Sequence, residues 1–186
     1  MRFMVRLSGD WREIFYDVLV PTFVAFLIVV VGMLPPHLEG IKYSLLEAIV
    51  VVGVPMLIGM IWNKWAGGSA GFIMGSLYGL YFSDQLYAGR GMGDVSLLGN
   101  LVSAMLIGYI AGALNKRSNS YRRMLYAGLT SGIMGSLVVL YTSRFSWVLG
   151  GITIGGVALT LFPRILAGLL VPLVAKAFLK AQNNKN

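Results

Sequence analysis

The side chains with the clearest binding chemistry in this sequence combine carboxylates, an amide, a guanidinium and aromatic rings. They lie at or near the ends of long apolar stretches and are Glu47, Tyr78, Tyr81, Asp84, Asn100, Tyr141, Arg144 and Trp147. Together they offer stacking surfaces, both signs of charge and several hydrogen-bonding groups, a mixture that suits a small polar, ring-containing ligand. An aromatic belt at a membrane interface is the alternative explanation for the rings.

The sequence has few of the residue types that catalysis or metal binding requires. The chain has no cysteine and one histidine, His37, which follows two prolines. Thiolate ligands, a histidine metal cage and a bis-histidine haem are therefore excluded within one chain. A Ser-His dyad would require His37, the one histidine, to reach a serine within the membrane, and there is no nucleotide-binding P-loop. We expect a protein that is not an enzyme and uses no cofactor.

Apolar stretches occupy most of the chain, of which 57% is hydrophobic and 12% charged, with a mean hydropathy of +0.77. Their lengths are close to the twenty or so residues that cross a bilayer as a helix. The predicted fold is an all-α, polytopic membrane bundle over residues 17–176. Its six spans are predicted at 17–34, 44–62, 68–84, 95–114, 123–142 and 150–175. An amphipathic interfacial helix is expected over 1–16 and a polar cytoplasmic tail over 177–186.

Lysine and arginine are unequally divided between the connections, which predicts the orientation. The first, third and fifth connections carry only Lys42, Arg90 and Arg144. The N-terminus, the second and fourth connections and the tail carry the larger group, which is Arg2, Arg6, Arg12, Lys64, Lys116, Arg117, Arg122, Arg123, Lys176, Lys180 and Lys185. Both termini are thus predicted to be cytoplasmic, in a plasma-membrane protein. The net charge of +8 then reflects topology and contact with the lipid bilayer, and no nucleic acid partner is expected.

Glu47 stands about one helical turn inside the second predicted span, where an ionised carboxylate is costly unless it has a partner. The predicted orientation places it near the outer surface. An ion pair with Arg144 or Arg90, a bound ligand and simple contact with interfacial water all remain open for it.

Arg164 is a second charge within a predicted span. Counting from the outer end of span six, it should lie about 20 Å deep, within roughly 10 Å of the cytoplasmic edge. Its long side chain is expected to reach that edge and to approach Asp17 or Glu13. Pro163 and Pro172 predict a kinked last helix.

A short motif occurs twice in the sequence. Residues 73–77 and 133–137 both read Ile-Met-Gly-Ser-Leu, and the match continues with Leu-Tyr at 80–81 and 140–141. Because both copies start on the cytoplasmic side, the pattern predicts a parallel repeat of two-span hairpins, over 66–117 and 126–176.

Glycines recur every four positions in spans three to six. Such spacing lets helix backbones approach closely in a bilayer, where lipid provides no hydrophobic drive for helices to associate. The predicted helix-packing residues are Gly71, Gly75, Gly79, Gly108, Gly112, Gly128, Gly132, Gly151 and Gly155. Packing within the bundle is the main expectation, and docking to a second copy or a partner subunit is the alternative.

Part of the chain resembles the substrate-binding S components of energy-coupling factor vitamin transporters. The resemblance covers about residues 60–120: Lys64-Trp65-Ala66-Gly67-Gly68 enters a glycine-rich span, and a second span runs from Gly99-Asn100 to Gly112-Ala113-Leu114-Asn115-Lys116-Arg117. It implies a vitamin-like ligand held by the outer helix halves, with a membrane coupling subunit and an ATPase module as partners. The family's AxxxA pattern on the first span is absent, since 18–34 has only Ala25 and Gly32 as small residues.

The predicted function is therefore a substrate-binding membrane subunit for uptake of a small polar metabolite or vitamin, energised by partner subunits. Glu47, Tyr81, Asp84, Asn100 and Arg144 would bind the ligand. A structural or assembly subunit of a larger membrane complex is one alternative, and a homo-oligomeric pore is another.

The orientation can be tested by single cysteines in this cysteine-free chain. A cysteine at Gly91 should react with a membrane-impermeant maleimide added to intact cells, because its loop is predicted to be outside. A cysteine at Asn119 should react only after the cells are permeabilised. The reverse pattern would contradict the predicted topology and would turn the proposed binding residues toward the cytoplasm.

Overall fold

The computed structural model describes residues 44–87, 95–144 and 154–183, together with isolated positions between 22 and 35. Over these ranges the chain is helical and has no strand. A π-helical segment, Glu47–Gly53, continues directly into α1, Val54–Ile61; the other helices are α2, Lys64–Tyr87, α3, Val95–Asn115, α4, Tyr121–Ser143, and α5, Ile154–Asn183. The predicted all-α class is confirmed for this part of the chain.

Four helical stretches are long and apolar enough to cross a membrane: Ser44–Ile61, Leu98–Asn115, Tyr121–Ser143 and Thr160–Lys180. Helix α2 has 24 residues, but its glycines and serines lower its hydropathy and it is not among these four. The expected interfacial helix and most of the expected first span lie outside the described residues. Helix α5 differs from the prediction, because it continues to Asn183 through much of the expected polar tail.

The π-helical segment has a local cause in Pro55, the second residue of α1. Proline has no amide hydrogen, and its ring clashes with the carbonyl group four residues earlier, here that of Val51. The preceding turns therefore widen, and the amide of Val54 donates to the carbonyl of Ile49, five residues earlier. Val51 and Val52 are fully buried in this wider segment, which holds it against the neighbouring helices.

Glycine backbones bring α1, α2 and α3 into direct contact. A Cβ atom on Gly59 would overlap the carbonyl oxygen of Gly108, and one on Gly108 would overlap the carbonyl oxygen of Gly67. One turn further along α3, a Cβ on Gly112 would lie 2.6 Å from the Cα of Lys64. Only glycine fits at such distances, so these residues fix the spacing of the three helices.

A second set of glycines joins α4 to both of its neighbours. A Cβ on Gly128 would lie 2.5 Å from the carbonyl oxygen of Gly168 in α5, and one on Gly132 would lie 2.8 Å from the carbonyl oxygen of Arg164. Gly135 instead faces α3, where its carbonyl accepts a 2.9 Å hydrogen bond from the Ser103 hydroxyl. Helix α4 thus packs between α3 and α5.

The two copies of the repeated motif both bury their glycine, but the two glycines pack against different residues. Gly75 lies against Leu101 of α3, the helix of its own predicted hairpin, whereas Gly135 lies against Ile107 of the same α3, outside its predicted hairpin. In both copies the glycine is buried and the flanking apolar side chains are exposed: Ile73, Leu77, Ile133 and Leu137. The two copies share a surface-facing pattern, and their glycines do not make equivalent contacts.

Polar groups inside the bundle are bound to backbone carbonyls. The hydroxyls of Ser131 and Ser136 donate to Gly128 and Gly132 over 3.0 and 2.8 Å, within the same helix. The amide nitrogen of Asn115 donates over 3.0 Å to the carbonyl of Met60, which joins the ends of α3 and α1. Such bonds offset the cost of burying the two serines away from water, whereas the Oδ1 atom of Asn115 is buried without a partner among the described residues.

The glycine contacts predict a sharp difference between two alanine variants. Gly108→Ala should lower the free energy of unfolding by about 1–3 kcal/mol, because its methyl group overlaps the Gly67 backbone. Gly79→Ala is the matched control, since a Cβ there meets nothing within 4 Å. It should leave stability unchanged or raise it slightly through better helix propensity.

Unfolding in mixed micelles, followed by circular dichroism, measures both variants. Equal effects of the two substitutions would contradict the close contact at Gly108. Gly79 was predicted to be a helix-packing residue, and no described residue lies within 4 Å of its Cβ position.

Candidate functional site

Arg164 is the largest fully buried side chain among the described residues, with 1% of its surface exposed. It lies ten residues after the start of α5 and directly follows the buried Pro163. One terminal nitrogen, Nη1, donates over 2.9 Å to the carbonyl of Thr160, one turn earlier in the same helix. The guanidinium is thereby held against its own helix and points into the bundle.

The other terminal nitrogen, Nη2, forms an ion pair with the Glu47 carboxylate. Glu47 is the first residue of the π-helical segment, and 18% of its side chain is exposed. The Asn100 Oδ1 atom of α3 lies 3.5 Å from the same Nη2, a longer contact than a normal hydrogen bond. The polar cluster, defined as Glu47, Asn100, Thr160 and Arg164, thus joins three separate helical elements.

The cluster has balanced charge and an unused hydrogen-bond donor. The single negative charge of Glu47 offsets the single positive charge of Arg164, and Asn100 and Thr160 are neutral. The Nε atom of Arg164 is buried and has no hydrogen-bond partner among the described residues. A buried donor without an acceptor costs about 1–3 kcal/mol, so this atom is a ready contact for an acceptor atom of a ligand.

The pairing answers one question that the sequence left open and changes one expectation. For Glu47, an ion pair with Arg144 or Arg90, a bound ligand and contact with interfacial water were all open; the structure pairs it with Arg164, and Arg144 is exposed at the end of α4. Arg164 was placed near the cytoplasmic edge because the last span was predicted to start at residue 150. Its ion pair with Glu47, which was predicted near the outer end of span two, places Arg164 beside that end of the bundle instead.

Only part of the predicted ligand-binding set gathers at the polar cluster. Tyr78 is buried in an apolar group with Val51 and Ala104, close to the π-helical segment. Tyr141 is 69% exposed and lies on the outside of the bundle. The structure describes only the backbone of the remaining α2 residues, Tyr81 and Asp84, and Trp147 lies outside the described residues. Of the expected glycines, Gly151 also lies outside them, and Gly155 is in the first turn of α5.

Arg164 and Thr160 were the residues missing from the predicted site. A usable signal was present, since each of spans two and six carries one charge and the two charges have opposite sign. Two opposite charges in neighbouring parallel spans would cost least when paired with each other.

Comparison with protein-family models, curated proteins and solved structures finds no match to this chain. The resemblance to the S components of energy-coupling factor transporters therefore stays a prediction.

The ion pair predicts strong coupling between its two residues. Glu47→Gln or Arg164→Met alone should lower the free energy of unfolding by about 3–5 kcal/mol, because each leaves a buried charge without its partner. The double variant should lose much less than the sum, since neither charge then remains. The measurement is a double-mutant cycle: the free energies of unfolding of wild type, the two single variants and the double variant are compared in one detergent. Additive losses would contradict the pairing.

Proposed function

We propose that this chain is a membrane-embedded subunit that binds a small polar solute for uptake, with the polar cluster as its binding residues. The observation that carries the proposal is the buried Arg164 guanidinium, whose Nε has no acceptor in the described structure. A bundle held together only for stability gains nothing from an unsatisfied donor at its centre. A ligand that supplies the acceptor turns this cost into binding energy.

The π-helical segment supports the same location. Glu47 opens this segment, and wider turns of this kind occur frequently at functional sites. Intramembrane charges also mark substrate and ion pathways more often than plain structure. Glu47 keeps 18% of its side chain exposed, so one side of the ion pair is reachable from the surface of the bundle.

The charge balance of the cluster restricts the solute. Since Glu47 and Arg164 cancel, a solute with net charge would leave an uncompensated charge in a poorly solvated site, which is costly. The favoured ligand is a small polar molecule without net charge, either neutral or zwitterionic, with an oxygen acceptor for Arg164 Nε. Asn100 would supply a further hydrogen bond from α3.

The topology proposed with this function has six spans and both termini in the cytoplasm of a plasma-membrane protein. Four described helices are apolar enough to span, and α2, with a span over 17–34, would complete the six. Several cations lie at one end of the bundle. Arg117 contacts the end of α1, and Lys176 lies over the Tyr121 ring at the start of α4. This end would be cytoplasmic, with the polar cluster toward the outside.

Partner subunits would supply the energy, because the sequence has no P-loop of its own. The structural-subunit alternative uses the glycines as docking surfaces. Beside most of the described glycines the space is already occupied by another helix of the same chain. Examples are Gly59, Gly67, Gly108, Gly128 and Gly168. This use leaves fewer of them for another protein and favours the solute-binding proposal.

Purification of the full chain in mild detergent, followed by mass spectrometry of the extracted small molecules, tests the proposal. The expected result is a retained, uncharged or zwitterionic polar solute. That solute should then bind the Asn100→Ala variant about tenfold more weakly, because one hydrogen bond is lost. Its melting temperature should change little, since the Asn100–Arg164 contact is long.

Asn119→Ala is the matched control, since this exposed asparagine lies in the turn between α3 and α4. It should keep full affinity. A copurifying protein with no retained solute would favour the structural subunit. A solute whose affinity is the same in wild type, Asn100→Ala and Glu47→Gln would place binding elsewhere and reject the cluster as the site.

A further inference from the structure

One end of the bundle, here named the basic end, carries seven described cations. They are Lys64, Lys116, Arg117, Arg122, Arg123, Lys176 and Lys180. No carboxylate lies in the described segments at this end; Glu47 lies near the far end of the bundle, and Asp84 is twenty residues along α2 from Lys64, about 30 Å by helical rise. The basic end is therefore a surface of uncompensated positive charge among the described residues.

Two of these arginines already neutralise helix ends. The Nε atom of Arg117 donates over 2.5 Å to the carbonyl of Trp62 at the end of α1, and that of Arg123 donates over 2.8 Å to Leu114 near the end of α3. Helix C-termini carry partial negative charge, which these contacts offset. Both side chains are exposed, at an end where the described segments carry no carboxylate.

The turn that carries Arg117 is held in an uncommon conformation. Lys116 and Arg117 both have positive φ angles, of 49° and 57°. For residues other than glycine this conformation costs roughly 1–2 kcal/mol each, so the surrounding contacts must enforce it. The result is that Arg117 lies beside the short connection between α1 and α2, which contains Asn63 and Lys64.

Lys64 and two aromatic rings form the other half of this surface. The Lys64 Nζ atom lies 5.6 Å from the ring centres of both Trp65 and Tyr109, and the two rings meet edge to face with centroids 5.4 Å apart. Trp65 is 68% exposed. An exposed tryptophan beside a lysine at the end of a membrane-spanning bundle is typical of the depth of lipid headgroups.

Apolar side chains continue from this point down the outer face of α2. Phe72, seven residues after Trp65, lies on the same helix face and is exposed. Leu77 and Leu80, further along the helix, are also exposed. Cations followed by an exposed apolar track provide contacts for both parts of a phospholipid, the phosphate and the acyl chain.

We propose that Lys64, Arg117 and Trp65 form a binding site for an anionic phospholipid. Lys64 and Arg117 contact the headgroup phosphate, Trp65 lies at the level of the glycerol ester, and an acyl chain runs along the exposed face of α2 beginning at Phe72. Anionic lipid is favoured over zwitterionic lipid because its headgroup carries a net negative charge, which the cations of the basic end attract. This site is separate from the polar cluster and does not depend on the proposed uptake function.

The test uses the purified full chain in nonionic detergent, with short-chain phosphatidylglycerol or phosphatidylcholine added stepwise. Phosphatidylglycerol should raise the melting temperature in a saturable and salt-sensitive way, and phosphatidylcholine should not. Lys64→Gln keeps most of the side-chain stem and removes the charge, so it should weaken the apparent affinity for phosphatidylglycerol about fivefold. Arg144→Gln, an exposed arginine far from the basic end, is the control and should bind like wild type.

Three results would overturn the proposal. Equal stabilisation by both lipids would show that headgroup charge is not recognised. An equal loss of affinity in Lys64→Gln and Arg144→Gln would show only a general electrostatic attraction. The same melting shift with inorganic phosphate alone would show that the surface recognises free phosphate and that the acyl chain contributes nothing.

Discussion

Direct contact between helix backbones is the constraint on which the other features of this protein depend. Gly59, Gly67 and Gly108 bring α1, α2 and α3 together, and Gly132 sets α4 directly against the backbone of Arg164. Lipid provides no hydrophobic drive between helices, so packing and polar contacts must supply the association energy. The same contacts fix the position of α1, and thereby that of Glu47 at the start of the segment before it. The ion pair is thus held at both ends by glycine-mediated packing.

Polar side chains in the bundle divide into two kinds. Ser103, Ser131 and Ser136 are buried and each donates to a backbone carbonyl, so their burial has been compensated. Arg164 is different, because its charge requires a partner from another helix and one of its donors is left over. This contrast distinguishes the three buried serines, whose hydroxyls are all bound, from Arg164, whose Nε has no partner among the described residues.

The sequence was sufficient to predict the helices, because hydrophobic length and glycine spacing are local properties. The observed end of the second apolar span, Ile61, differs by one residue from the predicted 62. The need of Glu47 for a partner was also predictable from the cost of a charge in an apolar stretch. Its actual partner was not, because the choice of Arg164 over Arg144 depends on where α5 enters the bundle. The open surroundings of Gly79 could not be predicted either, since spacing alone does not say which glycines meet a neighbour.

The π-helical segment has a consequence for any substitution or alignment in this region. Each i to i+5 turn takes up one residue more than an α-helical turn, and one residue corresponds to about 100° of rotation. A helical wheel drawn from Ser44 to Ile61 with a constant α-helical angle would therefore assign Glu47 and Met60 to wrong relative faces. Deletion of one residue between Glu47 and Gly53, with a return to a regular α-helix, would leave Glu47 and Met60 on nearly the same relative faces, because the wider turns already absorb the extra residue. The widened segment therefore accommodates one more residue than an α-helix would, while the carboxylate still meets Arg164.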